Sequence, residues 1–442
     1  MAVTDLEKIF EAGVVGAGGA GFPTHIKINN KASVVIANGA ECEPLLRVDR
    51  QIMESYPEKI VEGLQIVMKI AGAERGVICL KEKYHDATER LAAASKGKKK
   101  IELKLMGNYY PAGDEQQLVY EVTGKVVPCG GLPIDVGAVV CNVFTLVNIA
   151  DAVNGVSVTD RVVTVTGEVI RPMTLKVPLG TSIEQIIEIA GLKKPKADCT
   201  IIAGGPAMGK VENDWKAPVT KTLGGVVVLP SDHRLVIKKS SPVDKDYRIA
   251  RSACCQCSYC TELCPRYALG LKVEPHKVMR AINYDGVSSF DTTNNIFSCC
   301  DCGICTLYAC GMDLSPSKFM TSIKTSMQKK GIKPKKNIPF GIDPMREFRK
   351  VPTKRFVERL GLSGYDVEAP LVAEEVKVNA VNIPLKQHIG IPATPIVRAG
   401  QAVKKGDLIG DMEPGKVGAK VHSSISGTVL EVNELYIKIT AG

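Results

Sequence analysis

Two cysteine runs constrain this chain more than any other feature. Cys254, Cys257, Cys260 and Cys264 stand as C-x2-C-x2-C-x3-C, and Pro265 follows the last of them. At that spacing three thiolates hold three corners of a four-iron, four-sulfur cube, while the fourth cysteine reaches a second cube. A second run is therefore required downstream, and Cys299, Cys302, Cys305 and Cys310 provide it. The expected pairing is crossed: Cys254, Cys257, Cys260 and Cys310 hold one 4Fe-4S cluster, and Cys299, Cys302, Cys305 and Cys264 hold the other. The second run departs from the first in having four residues before Cys310 and Gly311 in place of proline. Cys255 and Cys300 each sit beside a ligand and are expected to point elsewhere. Zinc knuckles would arrange four thiolates as two CxxC pairs across a longer loop, whereas here three evenly spaced cysteines precede the fourth.

Ten of the fifteen cysteines lie within 254–310, so the count describes a local site. In a reducing cytoplasm such a cluster binds metal more often than it forms disulfides. The scattered Cys42, Cys79, Cys129, Cys141 and Cys199 are expected to behave as small buried hydrophobes. No stretch supplies the roughly 18 apolar residues of a membrane span; the nearest, 136–150, is short and contains Asn142 and Asn148. The N-terminus lacks a secretion signal, so a cytoplasmic protein without an integral membrane segment is expected. Aromatics are sparse at 5%, and the basic runs at 98–100, 329–336 and 346–355 are not interleaved with them. Nucleic acid is therefore not an expected partner, and the net charge of +10 is read as a solvated helix end and a linker.

The chain length of 442 residues allows two to four domains at about 100–200 residues each. Thr4 and Glu7 form a capping-box pattern that opens a short amphipathic helix. A buried strand over 33–37, a helix over 57–71 and a strand over 76–80 then alternate as in an α/β unit. Strands over 162–169 and 174–177 precede a helix over 182–190 and a further apolar run at 226–229, giving a small α+β unit. Beyond the cysteines, 329–368 resembles an extended connector with one helix at 352–360. The last 70 or so residues are glycine-punctuated Val/Ile strands of an all-β module. The expected fold is thus multidomain α/β and α+β, divided at 1–155, 156–240, 241–328, a basic connector 329–370, and 371–442.

Gly16, Gly18 and Gly21 formally satisfy G-x-G-x-x-G, with Glu41 further on. A Rossmann unit needs a strand in front of that loop, and 6–12 reads as helix, so a Rossmann domain is disfavoured. Side-chain-free backbone can nevertheless approach a phosphate closely. The continuation is more specific: Gly21-Phe22-Pro23-Thr24 with Lys27, Asn38-Gly39-Ala40-Glu41-Cys42-Glu43-Pro44, Gly113-Asp114-Glu115-Gln116 and Cys141-Asn142-Val143. Together these motifs resemble the FMN- and NADH-binding subunit of respiratory NADH dehydrogenase and its relatives in the Rnf electron-transport complex. The resemblance implies an FMN site lined by Gly16, Gly18, Lys27, Asn38, Glu41, Gly113, Asp114 and Asn142. It also implies that Phe22 lies near the nicotinamide, that Glu43 and Glu115 face NADH, and that Lys27 and Glu115 serve catalysis. Ala17, Ala40 and Cys141 replace an arginine, an aspartate and an asparagine of the respiratory enzyme.

The segment 161–192, with Thr166-Gly167-Glu168-Val169, resembles the soluble-ligand-binding β-grasp (SLBB) domain of the same family, and no chemistry is assigned to it. The C-terminal stretch resembles a barrel-sandwich hybrid of the lipoyl and biotinyl type. Lys416 would be its carrier lysine, but Pro414-Gly415-Lys416 is not a usual modification motif, so an unmodified module is expected. In the Rnf protein this module comes first, whereas here it comes last. That order, with Tyr110-Pro111-Ala112-Gly113 and Pro218-Val219-Thr220-Lys221-Thr222, is similar to the cobalamin reductases of bacterial propanediol utilization. The resemblance implies an oxidoreductase that passes electrons from NADH through FMN and two 4Fe-4S clusters to cobalamin, supporting a B12-dependent diol dehydratase. Its partners would be NADH, cobalamin or a B12-handling enzyme, and the shell proteins of a microcompartment. No Asp-x-His-x-x-Gly signature for cobalamin occurs, because Asp232-His233 lacks the spacing. Two other readings stand beside this one: an Rnf-like donor to ferredoxin or another reductase, and an electron relay without flavin.

Overall fold

The structure, a computed structural model, describes residues 3–282, 295–413 and 415–442. Met1, Ala2, residues 283–294 of the cysteine segment and Pro414 beside Lys416 lie outside the described residues. The first unit contains α1 (Asp5–Glu11), α2 (Thr24–Ile28), β1 (Val34–Gly39), α3 (Val48–Ser55), α4 (Pro57–Ala71), β2 (Arg75–Lys81), α5 (His85–Ala94), β3 (Ile101–Met106), β4 (Tyr109–Tyr110), α6 (Glu115–Thr123), β5 (Ala138–Asn142) and α7 (Val143–Val153). The capping box closes on α1 as its pattern requires, with Thr4 Oγ1 accepting from Glu7 N–H and Glu7 accepting from Thr4 N–H. Helix α4 starts with Pro57 and stops at Gly72, whose φ of 66° is easy for glycine. It crosses α7 so closely that a Cβ on Gly63 would stand 2.1 Å from the Leu146 carbonyl oxygen.

Four parallel strands form one sheet in the order β3-β2-β1-β5. Helices cover both faces, which is why β1, β2 and β5 read as nearly unbroken apolar runs. From β1 the chain winds to β2 on one side and later returns to β5 on the other. Crevices at the carboxyl ends of strands open at such a reversal. Asn38, one residue before the end of β1, and Asn142, the last of β5, are direct register partners there.

The second unit is a five-stranded mixed sheet, built from β6 (Asp160–Gly167), β7 (Met173–Pro178), β8 (Cys199–Ala203), β9 (Lys210–Glu212) and β10 (Gly225–Pro230). Their order is β7-β6-β10-β8-β9, and α8 (Ile183–Ala190) seats Ile183, Ile186 and Ile187 in its core. The cysteine segment is helical and short-turned, and it ends in the helix Pro316–Lys329. The last unit has a four-stranded and a three-stranded sheet packed around Ile383, Ile409, Val421 and Ile437. It docks on the first helix: Phe10 joins its core, and Lys420 pairs with Glu11 at 2.9 Å.

The connector departs from the extended, solvated chain expected of it. Val351–Pro352 pairs antiparallel with β4. Arg346 is buried and donates to Glu121 at 2.6 Å and Gln117 at 2.7 Å, with its guanidinium over the Tyr120 ring. Its charge serves a packed contact on α6, a long-range pairing that local composition does not reveal.

Candidate functional site

The glycine turn at 16–21 lies across the carboxyl ends of β1 and β5, with Gly18 and Gly19 exposed. It is held from below: Ala17 N–H donates to Thr145 Oγ1 at 2.9 Å, and Arg161 on β6 donates to the Ala17 carbonyl at 2.9 Å. Gly18 faces Asn142, where an added Cβ would stand 3.5 Å from the asparagine's own. Asn142 caps α7 through Phe144 N–H and donates to Asp49 at 2.9 Å. Asn38 donates to the Gly113 carbonyl at 2.9 Å, so the turn that follows β4 is tied to the end of β1. Gly113 is required there, since a Cβ would meet the Ala40 carbonyl oxygen at 2.3 Å.

Lys27 on α2 and Glu115 at the start of α6 form an ion pair at 2.5 Å. Burial alone would depress the ammonium, but the Glu115 carboxylate outweighs it and holds Lys27 above its usual pKa. Glu41 is buried beside Asp49, and burial, then that neighbouring charge, raise its carboxyl well above the ordinary range. Glu41 Oε2, Gln116 Oε1 and Arg161 Nη1 are buried without a hydrogen-bond partner among the described residues. Such atoms cost free energy until something completes them. A polar flavin ring carrying a ribityl phosphate supplies donors, acceptors and an anion for an exposed glycine turn, so the residues present fit FMN.

Phe22, half-buried, joins this group through its carbonyl, which accepts from Gly16 N–H at 2.9 Å. Glu43 does not join it. Its carboxylate accepts from Ala207 N–H at 2.8 Å and Met208 N–H at 2.6 Å, in the turn Gly204-Gly205-Pro206-Ala207-Met208-Gly209 of the second unit. Lys239 ties the same turn from beneath by donating to the Ala207 and Gly209 carbonyls. Asp114 is likewise engaged: it caps α6, and its Oδ1 accepts from Arg266 at 2.6 Å, both side chains buried.

The cysteines sort into two cavities. One of about 350 Å³, its open mouth included, is lined by Cys254, Cys255, Cys257, Cys260 and Cys310. The other, of about 340 Å³, is lined by Cys264, Cys299, Cys300, Cys302 and Cys305. Both runs curl tightly, with left-handed backbone at Gln256, Ser258 and Asp301 (φ 54°, 64° and 56°), a conformation uncommon outside glycine and typical of constrained sites. Cys255 and Cys300, expected to point elsewhere, also line these cavities, because turns this tight bring neighbouring side chains to the same wall. Among the described residues no three His, Cys, Asp or Glu side chains converge on a single-ion site. A cube held at its corners needs thiolates that stand apart, so the soft, all-sulfur donor sets fit 4Fe-4S clusters.

The first cavity is lined by exposed Cys255, Cys257 and Met312 with Cys260 buried, whereas in the second Cys264, Cys302 and Cys305 are all buried. The second cavity abuts the flavin-motif turn: Gln117 donates to the Pro265 carbonyl at 2.8 Å, and Leu45, Leu46 and Tyr110 share an apolar core with Cys302 and Ile304. Arg161, Arg266 and the contact of Glu43 with the 204–209 turn are the site features that motif reasoning misses; the turn itself is legible from its glycines and proline. Of the two arginines only Arg266 carries a local signal, a charge placed directly after Cys264-Pro265.

Comparison with known proteins agrees in every module. Residues 9–151 match the Nuo51 FMN-binding domain, 162–211 the SLBB domain, 253–315 a 4Fe-4S dicluster domain, and 368–442 the RnfC barrel sandwich hybrid domain. Fold and site together define a flavin- and iron-sulfur-dependent oxidoreductase. The chain is 39% identical over 437 residues to cobalamin reductase PduS of Salmonella typhimurium, covering 99% of this chain and 96% of that one. It is 38% identical over 443 residues to cobalamin reductase PduS of Citrobacter freundii, covering 100% and 97%. The chain belongs to the cobalamin reductase PduS family. A more partial likeness, 34% identity over 273 residues, joins it to a component of the Na(+)-translocating ferredoxin:NAD(+) oxidoreductase complex of Acetobacterium woodii, over 60% of this chain and 59% of the other.

Proposed function

We propose that the chain oxidises NADH at the β1–β5 crevice and delivers the electrons singly to cobalamin. The full-length likeness to the PduS reductases carries this reading. The abutment of the flavin-motif turn on the second cysteine cavity supports it. FMN, when bound, supplies the conversion of paired into single electrons, and each cluster carries one. In this reading Gly16 and Gly18 bring backbone to the FMN phosphate, Asn38 and Asn142 set the height of the two turns, and Gly113 lets them close. Lys27 offers a fixed cation to an anionic oxygen, and Glu115 keeps that ammonium in place and charged. Phe22 would stack near the nicotinamide. Glu41 and Gln116 complete their buried oxygens on the ligand. Glu43 reaches NADH only when the 204–209 turn releases it, and Asp114 acts through Arg266. Cys254, Cys257, Cys260 and Cys310 hold one cluster; Cys264, Cys299, Cys302 and Cys305 hold the other.

The corresponding units are 1–155, 156–240, 241–328, the connector 329–370, and 371–442. The product would sustain a B12-dependent diol dehydratase inside a cytoplasmic microcompartment, next to its shell proteins. Among the described residues no helix is long and apolar enough to cross a membrane. Anaerobic reconstitution with FMN and iron, followed by NADH titration watched optically, is expected to bleach flavin and cluster absorbance. Absorbance that does not bleach leaves a relay. After bleaching, faster reoxidation by cobalamin than by ferredoxin is expected, and the reverse order favours the Rnf-like donor.

A further inference from the structure

We propose that Arg266 is a tuning residue of the buried cysteine cage, held at its post by Asp114 of the flavin motif. The inference rests on the reading of Cys264, Cys299, Cys302 and Cys305 as ligands of one cluster. Arg266 lines the cavity of that set. Its Nη2 donates to Asp114 Oδ1 at 2.6 Å, while its Nε–H, equally buried, has no acceptor among the described residues. A buried donor without an acceptor is costly and rare. Here it belongs to a guanidinium on the wall of a cavity lined by five cysteines with Asp301 and Ser317; Asp301 is taken up by Lys324 and Thr321 and Ser317 by Thr306, and the thiols of Cys299 and Cys300 are near enough to feel the guanidinium's charge. A sulfide or thiolate of the cluster is the acceptor that fits.

Hydrogen bonds to sulfur and nearby net charge set the potential of such clusters. A buried cation favours the reduced, more negative form and therefore raises the potential, and it does so strongly where water is excluded. Asp114 offsets part of that charge. Since Asp114 immediately precedes Glu115, which pairs with Lys27, the charges run unbroken from the crevice to the cage. Asp114 thus spends its charge on the cage and not on the flavin.

The test is an anaerobic redox titration of the reconstituted holoprotein followed by electron paramagnetic resonance, with iron counted in each sample. R266Q is expected to lower the midpoint of one cluster and leave the other unmoved. D114N, which keeps a capping side chain for α6, is expected to raise that same midpoint. R266K should fall between R266Q and the native protein. The shift should persist in C257A, where the remaining iron sits in the cage of Cys264. Opposite shifts at constant iron are not what a loosened fold gives. If iron is unchanged and both midpoints stay put in R266Q, or the other cluster moves, the role of Arg266 is overturned. If R266Q sheds iron, D114N decides, and a fixed or lowered midpoint there overturns it. Native protein that never takes up two clusters overturns the ligand reading beneath it instead.

Discussion

Tyr110 donates its hydroxyl to the carbonyl oxygen of Cys302 at 2.7 Å, across 192 residues of sequence and entirely out of contact with water. Its ring stacks on Phe356, with centroids 4.6 Å apart. One side chain thereby joins the flavin-motif turn, the second cysteine run and the connector's helix Thr353–Arg359. Tyr110→Phe keeps the stacking and strands a buried carbonyl, at a cost of about 1–3 kcal/mol. Anaerobic thermal unfolding is expected to begin several degrees lower, with iron content unchanged. An unchanged transition would mean that the bond does not bear on this junction.

Gly113→Ala places a methyl 2.3 Å from the Ala40 carbonyl oxygen and 3.0 Å from Cys42 Sγ. The carbonyl belongs to the backbone of the adjoining turn, so both turns must part. FMN affinity, followed by flavin fluorescence, is expected to weaken at least tenfold while iron stays bound. Native affinity in the variant would remove this turn from the flavin site.

Cys257 is exposed and lines the more open cavity. Cys257→Ala is expected to drop the iron content from about eight to about four atoms per chain. Cys79→Ala, at a buried thiol on β2, should leave the count alone. Full iron in the first variant would overturn the assignment of Cys257 as a cluster ligand.

Lys221 is buried where three units meet, donating to the Gly13 carbonyl at 2.7 Å and the Lys420 carbonyl at 2.9 Å. Burial pushes its pKa down to about 7, against about 10.4 for a free lysine. Between those values the unfolded chain binds more protons than the folded one, so stability rises with pH across that window. Below it the penalty for burying the charge is fully present. Lys221→Met is expected to flatten the rise by one proton, measured as denaturant midpoints at about pH 7 and 9.5. The same slope in both proteins would place the titrating group elsewhere.

Much of this architecture is legible locally. Helix α4 shows its own ends in Pro57 and Gly72, and the strand patterns of β1 and β2 follow from burial on both faces. The crossed grouping is an expectation of cluster spacing, and the same sets of cysteines, with Cys255 and Cys300 added, line the two cavities. The partners of Glu43, Asp114 and Arg346 are not legible, since each charge is satisfied by a group 150 or more residues away. Local composition describes such residues as solvated, and only the tertiary fold shows what neutralises them. The same holds for Cys255 and Cys300, whose direction depends on left-handed turns at non-glycine residues.

Lys420 pairs with Glu11 and lies over the Phe10 ring, which brings the final β module against the opening helix across 409 residues of sequence. That contact closes the fold on itself, since Phe10 fills part of the core of the last module. Loosening the last module therefore uncovers the first helix, and the two are expected to be lost together.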